Sequence, residues 1–144
     1  MKWHLKFTVG AVIAGLCMTL TAMPASADPP TPAAYRSCST TGASGTAHIW
    51  AWYVGITSVP LDFNVDDTLA DDHHVQIRVI GKDLNTNMIY YPWHKVYTGY
   101  GTGASYSSTA QFSGGFGDLG IEVARFEGDT MLNYCRDWIN TGHT

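Results

Sequence analysis

The chain reads as all-β: a single antiparallel β-sandwich of about seven strands, immunoglobulin-like or jelly-roll-like, closed by one disulfide. Three observations predict this. Past residue 45, apolar side chains recur at every second position, the period of a half-buried strand. The runs are short and separated by Gly, Asn and Asp clusters at near-regular spacing, as in sandwiches and barrels. No stretch after residue 28 carries a sustained helical stripe.

The first segment, 1–27, has the layout of an export signal. Lys2 and Lys6 give it a positive start, an apolar run covers 7–20, and Ala25-Ser26-Ala27 supplies the small-x-small cleavage pattern. The run is shorter than the ~20 residues of a membrane helix, and no second one occurs, so no membrane span is expected in the mature chain. Cys17 follows Leu16, which is too large for a lipoprotein box, so cleavage before Asp28 is the better reading. Loss of Lys2 and Lys6 takes the net charge from −4 to −6. An acidic chain repels phosphate backbones, so nucleic acid is not expected as a partner. Cys38 and Cys135 remain, and two cysteines in an exported domain allow one internal bridge. Neither sits in a CxxC pair or beside a basic partner, so a structural role is expected.

Residues 28–45 read as a flexible leader, with Pro29, Pro30 and Pro32 followed by Ser, Thr and Gly around Cys38. The domain proper is expected over 46–139, with a tail over 140–144. Within it, 48–54 alternates with His48, Trp50, Trp52 and Val54 on one face, read as core. Segment 59–65 alternates Val59, Leu61, Phe63 and Val65, with Asp62 and Asn64 opposite. Segment 74–80 places Val75, Ile77 and Val79 inward and Gln76 and Arg78 outward. Segment 88–97 is aromatic, and Pro92 demands an edge or a bulge there. Segments 105–112, 119–126 and 130–138 complete the set.

Two clusters are candidate sites. Asp62, Asp66, Asp67, Asp71 and Asp72 fall within eleven residues, followed by His73 and His74. Crowded hard oxygen ligands in a loop suit calcium, with Asp66, Asp67, Asp71 and Asp72 as ligands. The competing reading is a solvated turn held by local Asp-to-backbone bonds. Zinc through His73 and His74 is disfavoured, since neighbours on a strand point to opposite faces. The second cluster is Tyr90, Tyr91, Trp93, His94, Tyr97 and Tyr100, rings that could stack on a glycan. Large aromatics are more often packing. On an unbroken strand Tyr91 and Trp93 share one face, and Tyr90 and His94 the other.

Catalytic signals are sparse. No GxSxG occurs, and the glycine runs at 100–103 and 114–117 lack the Lys-Ser/Thr of a phosphate loop. Glu122 and Glu127, with odd separation, fall on opposite faces of a strand. Arg78 and Glu122 are expected as an exposed cross-strand ion pair.

The segments Thr68-Leu-Ala-Asp-Asp-His-His-Val-Gln-Ile-Arg78, Tyr91-Pro-Trp-His94, Gly99-Tyr-Gly-Thr102, Gly120-Ile-Glu-Val-Ala-Arg125 and Leu132-Asn-Tyr-Cys-Arg-Asp-Trp138 resemble a group of small exported actinobacterial proteins, mostly of unassigned function. The resemblance covers about residues 45–138 and implies an exported, disulfide-closed, β-rich domain. It implies no activity and no site residues. The expected function is a secreted, non-catalytic binding or surface-associated module with an extracellular ligand or protein partner, a glycan being the candidate. An inhibitor of a secreted enzyme, presenting 97–108 as a long loop, and a small extracellular hydrolase are the alternatives.

Overall fold

A computed structural model describes residues 33–140. The signal at 1–27, its Cys17 and Asp28 landmarks, the first residues of the leader and the tail beyond Asn140 lie outside the described residues. Nine strands form two antiparallel sheets: β1 (Ala34–Thr40), β2 (Ala43–Ile49), β3 (Ser58–Asp67), β4 (His74–Asp83), β5 (Met88–Tyr90), β6 (His94–Val96), β7 (Gly103–Gln111), β8 (Phe116–Glu127) and β9 (Thr130–Trp138). One sheet runs β1-β2-β3-β7; the other runs β5-β4-β8-β9, with β6 beside β5 on the same edge of β4. The chain crosses between sheets at β3–β4, β6–β7 and β7–β8, so β3 pairs with β7 and β4 with β8. The result is a sandwich-like, Greek-key order of nine strands rather than about seven, with β1 added outside β2. Among the described residues no helix is long and apolar enough to cross a membrane.

The core forms where the alternation said it would. Val59, Leu61, Phe63 and Val65 of β3 face Val75, Ile77 and Val79 of β4 and Leu119, Ile121 and Val123 of β8, all buried. Both flanks are shut. On one, Cys38 of β1 bridges Cys135 of β9 with 5.9 Å between Cα atoms. Beside the bridge, Ser37 N donates to Asp137 (2.9 Å) and Arg36 donates to the Trp138 carbonyl (2.9 Å). On the other, His94 of β6 lies 4.5 Å from Tyr106 of β7, and the Tyr91 hydroxyl donates to the Gln111 carbonyl (2.8 Å).

Three expectations need correction. Residues 34–45 are not a flexible leader but β1 and the start of β2. Their small residues look like linker composition, yet smallness is what the site demands. Gly45 faces the opposite sheet so closely that a Cβ would lie 2.7 Å from Val123 Cγ2 and 3.0 Å from Ile77 Cδ1. The turn into β2 uses Gly42 at φ +85°, a region that L side chains avoid. Second, the 48–54 register is inverted and too long. Ala43, Gly45, Ala47 and Ile49 point inward, so His48 and Trp50 lie outside, and the strand ends at Ile49. Trp52 and Val54 belong to the connection to β3, where Val54 is exposed. Third, 88–97 is two strands, because the chain leaves the ladder over 91–93 around Pro92. The long loop over 97–108 that the inhibitor alternative called for is absent. β7 begins at Gly103, and the turn before it is tied to β3 by Gly101 N to Asp67 O (2.9 Å).

Candidate functional site

The outer face of the five-stranded sheet is unusual in what covers it. On β4 the outward positions are His74, Gln76, Arg78, Ile80 and Lys82; opposite them on β8 stand Phe126, Ala124, Glu122, Gly120 and Asp118. Ala124 and Gly120 are small, which leaves room for long neighbours to lie flat. His74, Gln76, Ile80 and Glu122 are buried although they point away from the core.

The cover is a continuous row of rings and cations. Tyr97 lies 4.5 Å from the His74 ring, His74 5.7 Å from Phe126, and Phe126 5.4 Å from Trp93. The Arg78 guanidinium then sits 4.2 Å from both the Trp93 and Tyr90 rings. Arg136 continues the row, 5.8 Å from Tyr90 and 5.0 Å from Tyr134. Lys82 stands 4.6 Å over Trp138 alongside. Each such contact contributes about 0.5–2 kcal/mol, more as water is excluded.

Glu122 anchors this layer. It is 1 % exposed, against the expectation of a surface pair. Arg78 donates to its Oε2 from Nε (2.8 Å) and from the terminal nitrogen (2.7 Å), and Arg136 donates to Oε1 (3.3 Å). Burial is the largest single influence and would lower the Arg136 pKa, but the Glu122 charge and hydrogen bond together with Tyr90 and Tyr134 outweigh it, and the net direction is up. The carboxylate therefore holds both guanidinium planes at fixed angles to the rings.

Of the six predicted platform residues, Tyr90, Trp93 and Tyr97 lie on this face. Tyr91 and His94 turn to the other side, toward Phe116 and Phe63. The parity expected for an unbroken strand fails because the break around Pro92 puts Tyr90 and Trp93 on the same side. Burial raises the Tyr91 pKa and lowers that of His94. Tyr100 is exposed in the β6–β7 turn. The residues that pattern reading missed are Arg136, Tyr134, Phe126 and Trp138. The alternation of Tyr134, Arg136 and Trp138 about Cys135 was a signal for the β9 members.

The four aspartates named for calcium do not converge. Asp66 and Asp67 alternate across β3, Asp66 outside with Asn64 and Asp67 buried. Asp71 is occupied by Arg125 (2.6 Å) and His73 (3.0 Å), and Asp72 is exposed. Among the described residues no three His, Cys, Asp or Glu side chains gather to hold a metal.

His74 gives this face a pH response. Burial pushes its pKa below the ordinary 6.5, and nearby Lys95 adds to the effect. The Gln76 carboxamide lies 2.8 Å from His74 Nε2. Below about pH 6.5 the unfolded chain takes up the proton first, so stability is present above that pH and falls as pH drops toward the folded value. Melting followed from neutral to mildly acidic pH should show the decline. His74→Gln should flatten it to the share contributed by His94.

The opposite sheet aligns His48, Asp62 and Ser107 in register across β2, β3 and β7. Ser107 Oγ donates to Asp62 (2.5 Å), and so does Trp50 Nε1 (2.7 Å); in that order, these two bonds hold the Asp62 carboxyl below its usual pKa. The row has the three residue types of a nucleophilic triad in the wrong order. The carboxylate stands in the middle, so no imidazole reaches the serine, and a carboxylate held ionised is a poor base for a hydroxyl.

Compared with known protein families and with curated proteins, the chain matches none.

Proposed function

We propose that the protein is an exported, non-catalytic binding module of the extracellular space, akin to the small actinobacterial proteins it resembles, and that it holds an acidic glycan on the outer face of the five-stranded sheet. The observation that carries this reading is the ring-and-cation row from Tyr97 to Tyr134. It is built in advance, because Glu122 and mutual stacking fix the side chains before any ligand arrives, and ordering costs are thereby reduced. Tyr90 and Tyr134 are 48 % and 51 % exposed, so each ring still has surface to give up on binding.

Charge selects the acidic class. The described residues contain six basic side chains, and Arg78, Arg136, Lys82 and Lys95 all lie on this face. The two carboxylates of the face, Glu122 and Asp118, are buried beneath the layer, and Asp129 meets Lys95 only at the rim (3.8 Å). A chain that is acidic overall thus presents one cationic, aromatic side.

The test is retention of the secreted protein on carboxylate- and phosphate-bearing cell-wall polysaccharides against neutral ones, over a salt series. Retention on the acidic polymers, weakening with salt, is expected. Tyr134→Ala should weaken it about tenfold while costing about 0.5–1 kcal/mol of stability, the share of an exposed ring-to-cation contact. Indifference to polymer charge, or an unchanged Tyr134→Ala variant, refutes the reading.

A further inference from the structure

The outer face of the four-stranded sheet carries a second, chemically different surface. Side chains fall in rows across the strands. One row is Tyr35, His48, Asp62 and Ser107; the next is Ser37, Thr46, Asn64 and Ser105. Between them lies a depression of about 360 Å³, lined by Thr46, His48, Asp62, Asn64, Ser105 and Ser107 and floored by the backbone of Phe63 and Tyr106. That volume is at the small end of ligand sites.

The polar groups are arranged beforehand. Asp62 accepts from Ser107 and Trp50. Thr46 donates to the Asn64 carboxamide oxygen, and the Asn64 amide donates to Asp66 (3.1 Å). On the β1–β2 side His48 lines the depression, with Tyr35 and Trp50 flanking that ring. Tyr35, 51 % exposed, meets His48 edge-on at 5.1 Å, and His48 meets Trp50 edge-on at 6.1 Å.

This lining excludes most ligand classes. An apolar ligand would strand the hydroxyls and the carboxamide. An anion would meet the Asp62 charge, with Asp66 close by. A cation is not called for, since the Asp62 carboxylate already has two donors. What remains is a neutral molecule whose own groups both donate and accept: Thr46 and Ser107, whose protons go to Asn64 and Asp62, accept from it, and Ser105 can do both. A sugar also has a C–H face that a ring can cover.

We propose that this depression binds a neutral mono- or disaccharide unit, independently of the acidic-ligand face on the other side of the sandwich. The bound sugar lies against Tyr35, with its hydroxyls over Asn64, Ser105 and Ser107.

The experiment is a titration of the secreted chain with neutral disaccharides of glucose, galactose and mannose, followed by backbone amide shifts. Saturable shifts at Thr46, His48, Asn64, Ser105 and Ser107 with at least one sugar are expected. Tyr35→Ala should weaken that binding about tenfold, and Ser105→Ala, at an exposed position, should weaken it without touching the fold. Tyr134→Ala on the opposite face should leave it unchanged. No saturable shift with any of these sugars up to ~10 mM overturns the proposal, since a site with a Kd of ~1 mM would be roughly nine-tenths filled there. Shifts centred on Tyr90 and Tyr134, or full affinity in both Tyr35→Ala and Ser105→Ala, overturn it too.

Discussion

Replacing Cys38 and Cys135 together by alanine is expected to lower the unfolding free energy by about 3–5 kcal/mol. The bridge closes a separation of 97 residues, and a closure of that length constrains the unfolded chain by about 4–5 kcal/mol in the loop-entropy account. Its place in the fold adds a second reason. It joins β1 to β9, the edge strands of different sheets, where backbone pairing stops. Without it that flank is held by Ser37 and Arg36 on Asp137 and Trp138, and by Thr40 on Asn133 (3.1 Å). Small domains total about 5–15 kcal/mol, so the variant loses a large share of its stability. Urea unfolding of both proteins gives the number; a loss below about 1 kcal/mol would mean that the hydrogen-bonded flank suffices by itself.

The second large effect is at Glu122. Glu122→Gln preserves shape and removes the charge that two arginines face. Breaking a buried ion pair from one side costs about 3–5 kcal/mol, because the remaining charge is left desolvated. Arg78 and Arg136 keep 16 % and 31 % of their side-chain surface, so partial hydration places the expected loss near the lower end, about 3 kcal/mol. A cycle with Arg78→Leu separates the pair from the rest. The double variant should be much less damaged than the sum of the singles, since a leucine in place of Arg78 removes the guanidinium that Glu122→Gln would strand. Strict additivity would show that Glu122 acts through packing alone. Glycan retention should fall with Glu122→Gln even where the protein is fully folded, as the guanidinium planes lose their anchor.

The sandwich was legible because period-two alternation is a local property. Val59 to Val65, Val75 to Val79 and the β8 apolar positions must face one core whatever the strand order, and they do. The disulfide was legible by count. What misled was composition and parity. The run from Ser37 to Gly45 has the polarity of a linker, yet its small side chains are set by Val123 and Ile77 across the core. Likewise Tyr90 and Trp93 were assigned opposite faces by an alternation that Pro92 interrupts. The Asp66–Asp72 crowding looked like an ion site, and the fold dispersed it by pairing Asp71 with Arg125, 54 residues away.

Local period and residue count were thus enough for the sandwich class, the bridge and the inward faces of the central strands. The Arg78–Glu122 pair was also legible, though as an exposed one; the Greek-key order, the face each aromatic takes, the burial of that pair and the addition of Arg136 to it emerged only with the folded chain. Such meetings depend on register between distant segments, and register follows from total core packing and strand interruptions that no local pattern encodes.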